Sequence, residues 1–167
     1  MPIHPDTTLG AISLKIRNLD RSLEYYQTRL GFRQNAYRDH SVTLGVPGRD
    51  LVILTEDPHA REYSRTTGLY HFAIRVPTRL DLARTLNQIA ITKTAVQGFA
   101  DHLVSEAIYL SDPDGIGIEI YRDRPREEWQ YENGRLKMAT DPLNLDSLLN
   151  ELAGQPDNWT GLHPDTT

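Results

Sequence analysis

Two stretches of the sequence alternate apolar and polar residues in the manner of β-strands, and each carries one side chain that could bind a metal ion. In residues 68–76 every second side chain is apolar, which places His71 on the opposite face. In residues 115–121 three isoleucines form one face, and Glu119 lies on the other. An unpaired buried carboxylate is costly, so Glu119 requires a cation, a hydrogen-bond network or water beside it. A histidine and a glutamate that face one hollow are the beginnings of a metal site.

The strands and helices that must position these residues fall into two units, and the first covers residues 9–56. The predicted elements are a strand at 9–17, a helix from Leu19 to Leu30, and strands at 32–38, 41–46 and 50–56. Asn18 is placed to cap the helix, whose apolar residues recur at spacings of four, three and four, and Gly31 ends it. This first unit has the order βαβββ.

The same order returns after residue 67. The predicted elements are the strand that contains His71, a helix with Leu82, Leu86 and Ile89 on its buried face, and strands near 94–99, 104–111 and 115–122. Thr78, or the residue before it, is placed to cap the helix, and Asp112-Pro-Asp-Gly115 has the composition of a turn. The sequence therefore predicts a second βαβββ unit.

Two such units predict an α+β fold. We expect βαβββ modules at 8–57 and 68–123 to form one curved mixed sheet around a central hollow, with the helices outside. The first strands of the two modules can be laid over each other with Ala11 opposite His71. On that alignment Ala11, Ser13, His71 and Glu119 line the hollow.

Residues 124–167 predict a C-terminal extension with a short helix around Leu143 to Leu152 and no room for another unit. The segment Glu132-Asn-Gly134 resembles a loop. His163-Pro-Asp-Thr-Thr167 repeats His4-Pro-Asp-Thr-Thr8 letter for letter, and the first copy immediately precedes the first strand. We therefore expect the extension to lead towards a missing second half, and we expect self-association if that half is absent.

Composition excludes several classes of function. The net charge is −5 and basic runs are absent, which argues against a nucleic-acid partner and leaves small molecules as the expected partners. The chain has no cysteine, so disulfides and thiolate ligands are excluded. No apolar stretch approaches 18 residues and no export signal is visible, which predicts a cytoplasmic protein without membrane insertion.

The motifs on these elements resemble the vicinal oxygen chelate superfamily, which includes glyoxalases, bleomycin and fosfomycin resistance proteins, and extradiol dioxygenases. The matching motifs are Leu-Asp-x-Ser-Leu-x-Tyr-Tyr on the first helix, Tyr-His-Phe-Ala on the fifth strand and Asp-Pro-Asp-Gly-Ile-Gly-Ile-Glu near the end. The whole chain is most similar to the N-terminal half of bacterial catechol-2,3-dioxygenase-like proteins. The extradiol signature falls on His102, Ile108-Tyr109, Asp112 to Gly115 and Glu119, and Ala100 is its one departure.

The resemblance implies roles for four residues. His71 and Glu119 match two of the three ligands of a divalent metal, most concretely Fe(II), with Mn(II), Zn(II) and Ni(II) as alternatives. His102 matches the acid or base near the metal, and Tyr109 matches a donor to the substrate oxygen.

The third ligand is missing from the expected position. The resemblance places it on the first strand of the first unit, where this sequence has Ala11, and alanine cannot coordinate a metal. Ser13 is a poor substitute, and Glu56 lies displaced towards a strand end. Either a second half supplies the missing part or the metal site is degenerate.

Each candidate residue also has a structural interpretation. His71 could be a hydrogen-bonded polar residue in a sheet, and Glu119 could form an ion pair with Arg75. His102 follows Asp101 in a predicted loop, and Tyr109 could simply be packed against its neighbours.

Two functions therefore remain. The first is a metal-dependent ring-cleaving dioxygenase acting on a catechol-like diol in aromatic catabolism, or the N-terminal half of one. The second is a catalytically silent module that binds a small molecule or serves as a structural partner. Ala11 favours the second function, whereas the four matched residues favour the first.

Overall fold

A computed structural model describes residues 3–4, 6–61, 68–156 and 158–167. The first unit contains β1 (Ile12–Ile16), α1 (Leu19–Leu23), a π-helical segment (Glu24–Arg29), β2 (Arg33–Arg38), β3 (Ser41–Val46) and β4 (Arg49–Glu56). The second unit contains β5 (His71–Arg75), α2 (Arg79–Ile91), β6 (Val96–Asp101), β7 (Ser105–Ser111) and β8 (Gly117–Asp123). The extension contains β9 (Tyr131–Glu132), β10 (Arg135–Leu136) and α3 (Leu145–Leu149), with short 3₁₀ turns at Arg126–Glu128 and Asn150–Leu152.

The strands form two mixed four-stranded sheets with the same topology. Their orders are β1-β4-β3-β2 and β5-β8-β7-β6, and the first strand of each pairs in parallel with the last strand of its unit. The remaining pairs are antiparallel. The α+β class built from βαβββ units is confirmed. One part of the expectation needs correction, because the strands form two separate sheets rather than one continuous curved sheet.

Both units nevertheless share one hydrophobic core. Leu14 and Ile16 of β1 belong to the same buried cluster as Leu82 and Leu86 of α2 and Ile120 of β8. Complete burial of one such aliphatic side chain stabilises the fold by about 1.5–3 kcal/mol. The alternation read from the sequence therefore describes the face of each strand that enters a common core.

The first helix changes type where its two tyrosines begin. Asn18 caps α1 as predicted, accepting a hydrogen bond from the Arg21 backbone N–H at 2.8 Å. After Leu23 the chain continues as a π-helical segment rather than an α-helix. Within it, Tyr25 and Tyr26 are both buried and both reach the second unit through their hydroxyls. A regular α-helix would separate adjacent side chains by about 100°, so the wider turn accompanies their joint inward placement.

The extension packs on the second unit. Asp101 at the end of β6 exchanges two backbone hydrogen bonds with Asp141, at 2.8 and 3.0 Å. The predicted helix lies within the expected range as α3, capped by Asn144. The presumed loop at Glu132 to Gly134 is the turn of a small hairpin, because Asn133 and Gly134 both have positive φ, as two-residue hairpin turns require.

Within the described residues, we find no helix with the length and apolar character needed to cross a membrane.

Candidate functional site

Neighbouring strands of the second sheet bring His71 and Glu119 together. His71 is the first residue of β5 and pairs in register with Gly117 of β8. Glu119 lies two residues further along β8, so its side chain is the diagonal neighbour of His71 on the same face. The distance from His71 Nε2 to Glu119 Oε2 is 2.9 Å.

The donor atoms fit a single divalent cation. Two ligands that lie about 2.1 Å from one ion and at right angles to each other are about 3.0 Å apart. The observed separation of 2.9 Å is close to that value. Both side chains are partly shielded from solvent, with 29% of His71 and 14% of Glu119 exposed. An imidazole nitrogen and a carboxylate oxygen are donors that Fe(II), Mn(II) and Zn(II) accept.

Because Gly117 has no side chain, it leaves room for the Cβ atom of His71 on the neighbouring strand. A Cβ atom added at Gly117 would lie 2.9 Å from the His71 Cβ atom and closer still to the Tyr70 carbonyl oxygen. Real Cβ atoms do not approach backbone that closely, so any other residue would push β5 away from β8. The glycine in the Gly-Ile-Gly-Ile-Glu motif is therefore a steric requirement for this arrangement of His71 and Glu119.

His71 has one buried nitrogen without a partner. Its Nδ1 atom is inaccessible to solvent and makes no hydrogen bond, while Nε2 contacts Glu119. An unsatisfied buried polar atom costs on the order of 1–3 kcal/mol. If Nε2 bound a cation, the proton of the neutral ring would be carried by Nδ1, the tautomer in which an imidazole coordinates through Nε2.

Tyr109 of β7 lies on the other side of Glu119. The two residues are directly paired across β7 and β8, and the tyrosine hydroxyl donates to Glu119 Oε1 at 3.0 Å. Burial, followed by the negative charge of Glu119 and the hydrogen bond to it, raises the pKa of the Tyr109 hydroxyl well above its usual range. The tyrosine therefore remains a neutral donor at physiological pH.

His102 continues the row of hydrogen bonds. It follows β6 directly, and its Nε2 atom lies 2.8 Å from the Tyr109 hydroxyl. Its Nδ1 atom lies 2.7 Å from the Ala139 carbonyl oxygen in the extension. Because a carbonyl oxygen can only accept, we assign a proton to Nδ1. The expected exposed loop histidine is therefore held by hydrogen bonds on both sides of its ring.

The hydrogen bonds that join Glu119, Tyr109 and His102 can accommodate one extra proton, and His102 keeps its hydrogen bonds on both sides of the ring. When His102 is neutral with its proton on Nδ1, Nε2 can accept the single proton of the Tyr109 hydroxyl, which then no longer donates to Glu119. When His102 is protonated, Nε2 donates to the hydroxyl oxygen, and the hydroxyl proton turns to Glu119. This arrangement allows His102 to take up or release a proton beside Glu119, as a general acid or base must.

The turn that leads into β8 is fixed by the first unit. Asp112 is buried, and its Oδ1 atom accepts from the backbone N–H groups of Asp114 and Ile116, both at 2.8 Å. Its Oδ2 atom accepts from the Tyr26 hydroxyl at 3.0 Å, and Tyr25 donates to the Ser111 carbonyl at 2.8 Å. The Tyr-Tyr pair on the first helix therefore holds the strand that carries Glu119.

Asp114 of the same turn forms ion pairs with the first unit. Arg17 Nε and Arg21 Nη2 each lie 2.8 Å from a carboxylate oxygen of Asp114. Burial alone would raise the pKa of Asp114, but the hydrogen bonds from the two arginines lower it below its usual value. The turn is therefore fixed by charges as well as by the tyrosines.

The cleft beside the site is built from the second unit and the extension. It has a volume of roughly 480 Å³, and His71, Tyr109, Phe99 and Thr140 are among its lining residues. The residues that line this cleft include His71 but not Ala11, Ser13 or Glu119, and none of them belongs to the first unit. The physical reason is that the two sheets do not join, so β1 belongs to a different sheet from β5 and β8.

The substitutes considered for a third ligand have other roles. Glu56 Oε1 accepts from the Leu19 backbone N–H at 2.9 Å and so caps the start of α1. Arg75 bonds to Asp123 and Thr167, so the expected alternative of an ion pair with Glu119 is not formed. Across the described ranges, no group of three or more His, Cys, Asp or Glu side chains could hold a metal ion.

Two components of the site were not identified as candidates from the sequence. The Ala139 carbonyl, which orients His102, lies 37 residues away along the chain. A carbonyl acceptor leaves no signal in a sequence. Gly117 was visible as a glycine within a strand, which is a recognised signal of close backbone approach.

One relative of this chain is named for the dioxygenase activity that the sequence motifs resemble. The chain is 44% identical over 168 aligned positions to a protein of Bacillus subtilis (strain 168) named catechol-2,3-dioxygenase. The match covers 98% of this chain and 58% of the relative. The chain therefore spans little more than half the length of that relative.

Solved structures share the fold. A glyoxalase/dioxygenase from Nostoc punctiforme superposes with a TM-score of 0.62 at 19% identity, over 75% of this chain and 98% of that one. A lactoylglutathione lyase from Agrobacterium tumefaciens superposes with a TM-score of 0.57 at 16% identity, over 71% of this chain and 96% of that one. At these identities the likeness concerns the fold alone.

The family itself follows from a profile match over most of the chain. The profile described as the Glyoxalase/Bleomycin resistance protein/Dioxygenase superfamily matches residues 8–120, which include both βαβββ units. The paired motifs, the two sheets and this match agree, and the chain belongs to the glyoxalase/bleomycin resistance protein/dioxygenase superfamily.

Proposed function

We propose that this chain is the metal-binding N-terminal part of an extradiol, catechol-2,3-dioxygenase-like enzyme that cleaves the ring of a catechol-like diol. The observation that carries the proposal is the continuous row of polar contacts from His71 through Glu119 and Tyr109 to His102. The name of the Bacillus subtilis relative supports the same reaction. Because the chain matches 58% of that relative, the complete activity would include parts outside the match.

In this proposal His71 Nε2 and Glu119 Oε2 hold a divalent metal. Fe(II) is the most concrete candidate, and Mn(II), Zn(II) and Ni(II) share the same donor preferences. When bound, Fe(II) supplies the chemistry with O₂ that opening an aromatic ring requires. The 2.9 Å separation of the two donor atoms is the length of a direct hydrogen bond between them and is also compatible with a shared ion.

His102 and Tyr109 act on protons and on the substrate. His102 takes up or releases a proton at Nε2, and its Nδ1–H bond to Ala139 holds the ring in place during both states. Tyr109, with its raised pKa, stays neutral and donates a hydrogen bond to a substrate oxygen when it turns from Glu119. A positioned acid or base of this kind typically contributes 10²–10⁴-fold to a rate.

The cleft has a size and lining suited to a small aromatic ring. Its volume of roughly 480 Å³ falls in the usual range of small-molecule pockets. Tyr70 and Phe99 supply aromatic surface, while Gln97 and Thr140 supply polar atoms at the margin. Tyr70 is 86% exposed, so it forms an outer wall next to His71, with the ring centres 5.1 Å apart.

Metal content tests the proposal. Purified protein is stripped with chelator, and binding of Fe(II) under nitrogen and of Mn(II) in air is measured by calorimetry. We expect binding that Glu119→Ala abolishes and that His71→Ala weakens at least tenfold. His40, an exposed turn histidine, provides the matched control, and His40→Ala should bind as the wild type does.

A catalytically silent small-molecule module is the second candidate function. It is favoured by the absence of a third acidic or histidine ligand among the residues that the structure describes. Failure of the stripped protein to bind either metal, together with binding of an aromatic ligand in the cleft, would replace the first proposal by the second. A ring-cleavage assay with catechol and added Fe(II) then measures whether the chain turns over substrate by itself.

The last part of the proposal is that this chain associates with a second half or with a second copy of itself. The chain is a half-length part relative to the Bacillus subtilis protein, which supports assembly with a second half or, without one, with a second copy. Sedimentation velocity on the isolated chain over a range of concentrations measures the self-association that we expect.

A further inference from the structure

The outer edge of β5 is open next to His71. The Val76 N–H donates to the Tyr121 carbonyl of β8 at 2.8 Å. Because every second residue of a strand faces the same neighbour, the backbone N–H and C=O groups of Ile74 and Phe72 also point towards β8. Backbone groups alternate along a strand, so those of His71 and Ala73 point away from β8. Among the described residues, no strand pairs with this edge. An unpaired edge is a template for a further strand.

One residue already begins that pairing. Arg75 N–H donates to the Thr167 carbonyl at 2.7 Å, and Thr167 N–H donates to the Arg75 carbonyl at 3.0 Å. Two residues that exchange both hydrogen bonds form an antiparallel pair. A strand continuing this register would pass Ala73 and then His71. The direction of approach is therefore fixed towards the proposed metal ligands.

The described residues of the two copies of the repeated pentapeptide make the same hydrogen bonds. In both copies of the repeated pentapeptide, a threonine N–H donates to the histidine carbonyl at 3.0 Å: Thr7 to His4, and Thr166 to His163. In both copies the aspartate N–H donates to the histidine Nδ1 atom, at 3.2 and 3.1 Å. The turn that introduces the first strand of a unit is thus formed a second time, at the open edge of β5.

This second turn is anchored, whereas the first is exposed. Thr166 is completely buried, and its carbonyl oxygen lies 3.5 Å from Arg49 Nη1. The side chains of His4 and Asp6 in the first copy are 74% and 89% exposed. The anchoring gives Thr167 a defined position against β5.

A groove next to the edge can receive the side chains of an incoming strand. Its volume is roughly 800 Å³, and it lies between the start of the first unit and β5. Leu9, Ile12 and Leu51 line one side, and Phe72 and Ile74 line the other. Leu9 is fully exposed, so a strand that enters the groove can bury its side chain.

We propose that the open edge of β5 is the docking edge for the first strand of a further βαβββ unit, which enters antiparallel from Thr167 towards His71. The inference deepens the proposed function by naming the partner of its site, and it rests on that proposal only for the consequence at the metal. A strand at this edge would close the outer side of His71 and would place its own side chains where Ala11 had been expected to lie. β1 of the first unit does not occupy this edge, because it belongs to the other sheet.

The test uses the part of the Bacillus subtilis relative that this chain does not match, roughly two fifths of its length. This chain, carrying an affinity tag, is co-expressed with that untagged part, and both are purified in the presence of a chelator. We expect the two polypeptides to co-purify in a one-to-one ratio. Purification without metal keeps the result independent of His71 and Glu119 as ligands.

Two proline variants locate the edge. Ala73→Pro removes an N–H group that points outwards from β5 and should reduce co-purification at least tenfold, because proline is tolerated on an edge strand but cannot donate. Ser13→Pro is the matched control, since Ser13 has the equivalent place on the outer edge of β1, and it should leave co-purification unchanged. Circular dichroism establishes that both variants are folded.

Amide hydrogen exchange gives a second readout without substitution. The His71 and Ala73 amides should exchange rapidly in the isolated chain and become protected in the complex, while the Phe72 and Ile74 amides are protected in both. The inference is overturned if the wild type does not co-purify, if Ser13→Pro is the variant that disrupts, or if the two outward amides stay unprotected. Pairing of the chain with itself at this edge, with no uptake of the added part, would also overturn it in favour of a second copy. Metal binding by the isolated chain is measured separately, so either proposal can fail alone.

Discussion

Replacing Gly117 by alanine tests whether backbone spacing sets the proposed metal site. The added Cβ atom would lie 2.9 Å from the His71 Cβ atom, whereas ordinary contacts begin at 3.4 Å, so this contact alone requires the two strands to separate by at least about 0.5 Å. The clash with the Tyr70 carbonyl is closer still and involves backbone, which cannot rotate away. Overpacking of this kind costs about 1–3 kcal/mol. Disturbing a group that orients a metal ligand typically weakens affinity 10–100-fold.

The assay measures two quantities on the same protein. Thermal unfolding gives the change in stability, and calorimetric titration with Mn(II) gives the change in metal affinity. We expect Gly117→Ala to lower stability by about 1–3 kcal/mol and metal affinity by 10–100-fold. Gly98→Ala is the control, because a Cβ atom at Gly98 would meet nothing within 4 Å.

A Gly117→Ala protein that binds Mn(II) as tightly as the wild type would show that Gly117 does not set the position of His71. An equal loss of affinity in Gly98→Ala and Gly117→Ala would show that the effect does not come from the contact with His71.

Three further predictions concern other parts of the site and its support. Tyr26→Phe removes the hydroxyl that donates to buried Asp112 and should lower stability by about 1–3 kcal/mol, measured by urea unfolding. Glu106→Gln breaks the buried pair with Arg122, which has a distance of 2.7 Å, and should destabilise by about 3–5 kcal/mol at neutral pH. Burial alone would raise the pKa of Glu106, but hydrogen bonds from its arginine partners lower it, so its stabilisation is complete above the ordinary glutamate pKa and is lost as the pH falls towards the lowered value. His102→Asn should keep metal affinity while removing turnover in the ring-cleavage assay.

Each of these has a control and a contrary result. Tyr37→Phe, at an exposed tyrosine, should leave stability unchanged, and an equal loss there would contradict the role given to Tyr26. The difference in the free energy of unfolding between Glu106→Gln and the wild type should become smaller as the pH falls. A difference that stays constant from neutral pH downwards would contradict a role for the charge of Glu106. A His102→Asn protein that loses metal would make His102 a ligand rather than an acid or base.

Alternation in the sequence was sufficient to find the strands that carry the site. His71 and Glu119 both stand opposite an apolar face in the structure, as their neighbours predicted. Thr78 caps α2 as expected, because a threonine followed three residues later by aspartate can satisfy the free N–H groups of the first turn.

The relation between the two sheets could not be predicted in the same way. Alternation fixes which face of a strand is buried but not which edge finds a partner, and β1 and β5 present equivalent edges. The alignment of Ala11 with His71 was therefore reasonable within each unit, but Ala11 and Ser13 do not line the cleft that His71 lines. The contact that fixes the units together, from Tyr26 to Asp112, joins residues 86 positions apart and leaves no local pattern.

The hydrogen bond from Tyr26 to Asp112 divides the chain into a part that carries the proposed chemistry and a part that supports it. The second unit cannot be excised as a minimal catalyst, because its turn at Asp112 would lose the hydroxyl that satisfies a buried carboxylate. Conversely, Ser13 on the outward face of β1 is exposed and has no part in that support. A dye or a surface tether is best attached at Ser13, and not at Ala11, whose neighbours Gly10 and Ile12 line the proposed docking groove.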